Sequence, residues 1–140
     1  MIYWFYGQPG SGKTTLGNAL KERLLNHYEY SNIIRIDGDE MRNIFQNKDY
    51  SEQGRRNNLR KVNDLIRFLY HKDYTVIVSV VAPYKDVRDE IKDLNPTMIY
   101  LHTSEIRGRE EYFAKDLVIG EDDIKIDTTN KSIIQALNEI

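Results

Sequence analysis

Apolar residues along this 140-residue chain come in two rhythms, short unbroken runs and stripes at helical spacing, and the two alternate. The run at 2–6, stopped by Gly7, reads as a buried strand. Leu16, Leu20 and Leu24 then recur every four residues, which predicts a helix from Lys13. A second strand is expected at 33–36, ending at Asp37-Gly38-Asp39, and a polar helix from Asp39 to about Phe45. Leu59, Val62, Leu65, Ile66 and Leu69 form the stripe of a longer helix that starts at Ser51, a good N-cap residue. The β-branched run at 75–81 is the pattern of a strand covered on both faces. The rest reads as a helix near Tyr84, a strand at 98–101, a charged helix over about 104–117, a strand at 124–126 and a closing helix at 132–140.

Strands alternating with helices build βαβ units around a parallel sheet. The expected fold is α/β, three layers around a five-stranded parallel sheet, in a single domain over 1–140. Ligands of such sheets collect at the carboxyl ends of the strands, so the loops after the first three strands should carry function.

Composition narrows the partners. Net charge is −2 from 20 basic and 22 acidic side chains, so no nucleic-acid or membrane surface is expected and an anionic ligand must be held by local cations. Cysteine is absent, which excludes disulfides, thiolate metal sites and cysteine nucleophiles and fits a reducing compartment. The first residues lack the basic and apolar regions of a signal peptide, and no apolar run approaches a membrane span. A cytoplasmic protein is the expectation.

Gly7-Gln8-Pro9-Gly10-Ser11-Gly12-Lys13-Thr14 matches G-x-x-x-x-G-K-[ST] in full, with Thr15 following. A strand precedes the motif and a helix follows it, as a phosphate-binding loop requires. Glycines let backbone N–H groups wrap phosphates, Lys13 reaches the outer ones, and the Thr14 hydroxyl is placed to ligate Mg²⁺. The expected ligand is ATP with Mg²⁺. With no N-K-x-D element to read guanine and a chain too short for most motor ATPases, a small-molecule P-loop kinase is the simplest class.

Asp37 and Asp39, just past the second strand, have two readings. They form a turn with Asp39 capping the next helix, or they orient an attacking hydroxyl and help hold Mg²⁺. Arg55 and Asn58 share a helical face and suit one anion, with Arg42 and Arg60 nearby; Arg56 and Lys61 are left to a solvated face. Ala82-Pro83-Tyr84 ends the third strand, with Arg88 a turn beyond. Arg107 and Arg109 lie either on a surface ion-pair helix or in a lid over about 104–122, where an arginine would stabilise a transferring phosphoryl group. His27, His71 and His102 show no metal spacing.

In order, these pieces resemble the adenylylsulfate kinase family over nearly the whole chain. The likeness starts with Trp4-Phe5-Tyr6 and the phosphate loop, and continues through Asp37-Gly38-Asp39-Glu40-Met41-Arg42. Tyr50-Ser51 with Arg55 and Asn58 looks like the family's Phe-Ser-x-x-x-Arg-x-x-Asn stretch, Val81-Ala82-Pro83-Tyr84 with Arg88 like its Ile-Ser-Pro-Tyr and arginine, and Ile126-Asp127-Thr128 like the turn beside the ATP base. The resemblance implies transfer of the γ-phosphoryl group of ATP to the 3′-hydroxyl of adenylylsulfate. It implies Asp39 as the favoured base and Asp37 as a group that helps organise Mg²⁺. With the phosphate loop and lid, the expected catalytic groups are Lys13, Asp39, Asp37 and a lid arginine, Arg109 or Arg107, and the expected metal ligands Thr14 and Asp37. The acceptor would be held by Asp39, Arg42, Tyr50 (stacked on adenine), Arg55, Asn58 and the backbone at Val81 and Ala82. Partners implied are small molecules, with a homodimer allowed. The family's Arg-Asp-x-Lys-Gly-Leu-Tyr stands here as Arg107-Gly108-Arg109-Glu110-Glu111-Tyr112-Phe113, without the lysine, in a shortened lid. A shorter lid leaves the acceptor side open to another nucleoside, nucleotide or polynucleotide end, or to a nucleotide-binding module without turnover.

Overall fold

The computed structural model describes residues 1–27 and 32–140. Five strands form one parallel sheet: β1 (Ile2–Tyr6), β2 (Ile33–Asp37), β3 (Thr75–Ser79), β4 (Thr97–His102) and β5 (Ile124–Asp127). Their order is β2-β3-β1-β4-β5, so β1 is central and the connections diverge from it to the two sides. That divergence opens a crevice at the carboxyl end of β1, where the glycine-rich loop begins.

Alternation along β1 feeds both faces. Ile2, Trp4 and Tyr6 pack into one core with Leu59, Val62, Ile66 and Leu69 of α3 (Glu52–His71). Phe5 points the other way, against Leu16 and Leu20 of α1 (Lys13–His27) and Ala136 and Leu137 of α5 (Ile133–Leu137). The expected three-layer α/β architecture is thus present, with the predicted stripe of α3 as its main packing face. Ser51 caps α3 as expected, its hydroxyl accepting from Gly54 N at 3.2 Å.

Several elements differ from expectation, among them the closing helix, which ends at Leu137 rather than at 140. The apolar run at 75–81 is strand only to Ser79; beyond it Ala82 adopts φ of 47°, a left-handed conformation that leaves the sheet. Asp37, rather than Asp39, caps α2 (Gly38–Phe45), accepting from Asp39 N at 3.2 Å. The helix near Tyr84 is short, α4 (Lys85–Arg88) followed by a 3₁₀ segment, Asp89–Leu94.

The helix expected over 104–117 does not form; only a 3₁₀ turn, Glu110–Tyr112, occurs there. Its first eight residues carry one apolar side chain, Ile106, so no stripe could bury against the core. Gly108 has φ of 79°, and the Ser104 and Arg107 amides bond Thr129 and Glu110 side chains instead of forming helical turns. Among the described residues no helix is long and apolar enough to cross a membrane.

Candidate functional site

β1 delivers the chain into the phosphate loop with Gly7 pressed on β4. A Cβ at Gly7 would lie 2.3 Å from the Leu101 carbonyl oxygen, and its φ is 150°, so no larger residue fits. Lys13 is only 9% exposed, and its ammonium donates to Gln8 O at 2.9 Å. Burial pushes its pKa down to about 8, against the pull of the Asp37 and Asp39 carboxylates and with the push of the Arg109 guanidinium. Ser79 at the end of β3 holds the same turn, its hydroxyl donating to Lys13 O at 2.9 Å.

The Thr14 hydroxyl donates to Asp37 Oδ2 at 2.8 Å, joining the start of α1 to the end of β2. Asp37 also carries the cap of α2 and an ion pair with Arg35 at 3.5 Å. Asp39, exposed and one step into α2, lines the same cavity as Asp37.

That cavity, about 630 Å³, runs from Pro9, Gly10, Lys13 and Thr14 to a far wall made by Arg42, Tyr50, Arg55 and Asn58. Val81 and Ala82 form its side, and Arg109 with Glu111 to Ala114 its roof. Every acceptor residue suggested by the sequence is therefore brought to one space. Asn58, 4% exposed, lines the cavity and leaves its buried Oδ1 without a hydrogen-bond partner. Tyr50 is 63% exposed, and the Arg42 guanidinium sits 4.1 Å from its ring centroid, covering one face. Arg42 also donates to the carbonyls of Asn47 and Asp49, so it holds the α2–α3 loop as well as lining the cavity. Arg55 stands 3.8 Å from Asp116 of the roof segment.

Other candidates lie elsewhere. Gly7, Gln8, Ser11, Gly12 and Thr15 support the phosphate loop without lining the cavity, and Thr15 faces solvent. Arg60 pairs with Glu90 at 3.3 Å, away from the cavity. Arg56 pairs with Glu52 and Asp86 and lies 4.2 Å over the buried Tyr84 ring, so it is half-buried rather than on a solvated face. Arg107 and Arg109 have separate tasks: Arg107 Nη1 donates to Gly10 O at 2.9 Å, tying the roof down, while Arg109 faces the cavity.

Two side chains at the site were given no such place by the sequence. Arg88 is buried, 4.1 Å over the Tyr6 ring, and donates to the carbonyls of Ala82 and Val118, holding the left-handed turn at Ala82. The Gln8 side chain bonds the Ala114 backbone through both ends of its amide. Arg88 had a signal, an arginine one turn past a proline-ended strand; Gln8 had none, since its position in the motif is unrestricted.

Comparison with known proteins places this geometry. Cytidine diphosphoramidate kinase of Campylobacter jejuni is 39% identical over 88 residues, 63% of this chain and 51% of that protein. Adenylyl-sulfate kinase of Vibrio cholerae is 31% identical over 110 residues, 74% of this chain and 49% of that one. The chain spans about half the length of the curated relatives it matches. Among solved structures, the APS kinase of Mycobacterium tuberculosis in complex with AMPPNP and APS superposes with a TM-score of 0.82 at 18% identity, covering 99% of this chain and 93% of that one. The sheet and its phosphate loop thus have the P-loop kinase fold. The family model for adenylylsulphate kinase matches residues 1–110, from β1 through the phosphate loop and both walls of the cavity, and the chain belongs to that family.

Proposed function

We propose that this chain is an ATP-dependent kinase that transfers the γ-phosphoryl group to the 3′-hydroxyl of adenylylsulfate, giving 3′-phosphoadenylylsulfate. The observation that carries the reading is the continuous cavity with Lys13, Thr14 and Asp37 at one end and Asp39, Arg42, Tyr50, Arg55 and Asn58 at the other. Family membership supports the same chemistry.

Backbone N–H groups of residues 8–15 and the N-terminus of α1 bind the phosphates, and Lys13 balances charge on the outer ones. Mg²⁺ fits the Thr14 hydroxyl and the Asp37 carboxylate, two hard oxygen ligands 2.8 Å apart, and this ion commonly takes few protein ligands beside phosphates. When bound, it supplies further neutralisation of the phosphate charge. Asp39 orients the 3′-hydroxyl and takes its proton. The 3′-oxygen bonds the γ-phosphorus while the bond to the β-bridging oxygen breaks, and ADP leaves. Arg109 balances the charge that develops on the phosphoryl oxygens. Arg55 holds the 5′ anion, Asn58 accepts from a ligand donor, and Tyr50 stacks its uncovered face on the base.

A second reading is supported by the 39% identity to cytidine diphosphoramidate kinase over 88 residues. In it the acceptor is a cytidine nucleotide with an anionic 5′ diphosphoramidate, and the catalytic groups are unchanged. The deciding experiment measures ADP release from ATP·Mg²⁺ with adenylylsulfate, cytidine diphosphoramidate and a panel of nucleosides, nucleotides and polynucleotide ends. Turnover with adenylylsulfate supports the first reading; turnover with the cytidine compound alone transfers the assignment to the second. ATP binding without turnover on any acceptor would leave a nucleotide-binding module. The absence of cysteine supports a cytoplasmic setting, and sedimentation of the same sample tests the homodimer.

A further inference from the structure

Gln8 occupies a position of the phosphate loop whose side chain the G-x-x-x-x-G-K-[ST] pattern leaves unspecified. Its side-chain Nε2 donates to Ala114 O at 2.8 Å, and its Oε1 accepts from Ala114 N at 2.8 Å. A primary amide presents an N–H and its C=O on the same side, so the one group of Gln8 meets both the carbonyl and the amide of Ala114. Ala114 is 3% exposed, so both of its backbone groups are out of water and Gln8 is what satisfies them.

The chain on either side of Ala114 is the cavity roof. Glu111 to Phe113 line the space between the phosphate loop and the far wall, and Asp116 reaches Arg55. Meanwhile the backbone carbonyl of Gln8 accepts from Lys13 at 2.9 Å. One residue therefore touches the phosphate-binding lysine through its main chain and the roof through its side chain. The roof forms no helix: Ala114 and Leu117 are its apolar contacts, and polar anchors fix the rest, Arg107 on Gly10 O being another at this loop.

We propose that the Gln8 side chain is a positioning residue that fixes the roof over the phosphate loop, keeping water from the γ-phosphorus while the acceptor hydroxyl is in place. The inference rests on the phosphotransfer reading above. When the anchor is lost, water competes: its oxygen bonds the γ-phosphorus, the bond to ADP's β-phosphate oxygen breaks, and the water proton passes to solvent. Hydrolysis then rises relative to transfer, without any change in the groups that perform the chemistry.

The test compares the wild-type chain with Gln8→Leu, which removes both hydrogen bonds at nearly constant shape, and Gln8→Glu, which sets a carboxylate against the Ala114 carbonyl. Hydrogen exchange of the Ala114 amide and the ratio of acceptor-free ADP release to phosphoryl transfer are both measured. Exchange at 110–118 is expected to quicken about tenfold in both variants, with the amides of Leu16 and Leu20 unchanged. The hydrolysis-to-transfer ratio is expected to rise about tenfold, with the KM for ATP moving less than that for the acceptor. If Gln8→Leu does not fold, Gln8→Glu decides alone. Unchanged exchange overturns the anchor, and faster exchange with an unchanged ratio overturns its positioning role. If the wild-type chain transfers to no acceptor, the kinase reading falls, while exchange of the Ala114 amide together with acceptor-free ATP hydrolysis still decides the Gln8 anchor and its shielding of the phosphate.

Discussion

The Thr14 hydroxyl and the Asp37 carboxylate meet at 2.8 Å across the crevice between α1 and β2, and Asp37 spends its other oxygen on the cap of α2. Asparagine caps a helix as well as aspartate does. Asp37→Asn therefore keeps α2 in place while removing the charge offered to a metal. The Mg²⁺ concentration giving half-maximal ADP release should rise about tenfold, with Tm shifting little. Equal Mg²⁺ dependence in the variant and the parent would remove Asp37 from the metal site.

Lys13 should limit stability as well as serve function. Its ammonium is buried against a carbonyl, and desolvation is the largest influence on its pKa. Lys13→Met keeps much of the apolar stem and removes the charge. Turnover should fall by about a hundred- to a thousandfold while the protein gains about 1–2 kcal/mol of stability at pH 7. Calorimetry beside an ADP-release assay reads both; loss of stability would show that the lysine's contacts outweigh its burial.

The same lysine sets a pH dependence. Its folded pKa, about 8, lies below the ordinary value of 10.5. Below pH 8 both folded and unfolded chains carry the proton, and the folded chain bears the full cost of burying it. Between pH 8 and 10.5 only the unfolded chain keeps the proton, so the Lys13 contribution to stability rises with pH across that window. Bound phosphates reverse the preference by favouring the ammonium. ATP binding near pH 9 should therefore take up a proton, and affinity should weaken by up to about tenfold per pH unit above 8. Titration calorimetry in two buffers of different ionisation enthalpy measures the proton directly, and identical heats would contradict the buried-ammonium account.

How far the sequence reaches depends on what each segment packs against. β1 and β3 are legible because a strand covered on both faces must be apolar throughout, and α3 because its one buried face repeats Leu59, Val62, Ile66 and Leu69. The phosphate loop is legible because few backbones other than glycine's can turn where Gly7 touches Leu101. Residues 104–117 mislead because charge density suits an exposed helix, yet the segment is held by separate contacts, Gln8 on Ala114, Arg107 on Gly10 and Leu117 on the core, none visible as periodicity. The convergence of Arg55 and Asn58 with Asp39 was suggested by resemblance; its cause is tertiary, the docking of α3 beside β3.

Arg55 and Asp116 provide the sharpest separation of acceptor from nucleotide. Their charges are 3.8 Å apart with the carboxylate half exposed, so the pair is weak and an arriving anion could replace Asp116 at small cost. Arg55→Gln should raise the acceptor KM at least tenfold and leave the KM for ATP within about twofold, because the guanidinium stands at the far wall from Lys13. Asp116→Asn should act in the opposite sense, lowering the acceptor KM by at most about threefold, since it frees Arg55 from a screened partner. Steady-state kinetics with ATP and the acceptor varied in turn distinguishes these effects. If Arg55→Gln moves both KM values together, the arginine is holding the cavity in shape rather than gripping the acceptor's anion. A higher acceptor KM in Asp116→Asn would mean that the roof carboxylate helps orient Arg55 rather than competing with the ligand.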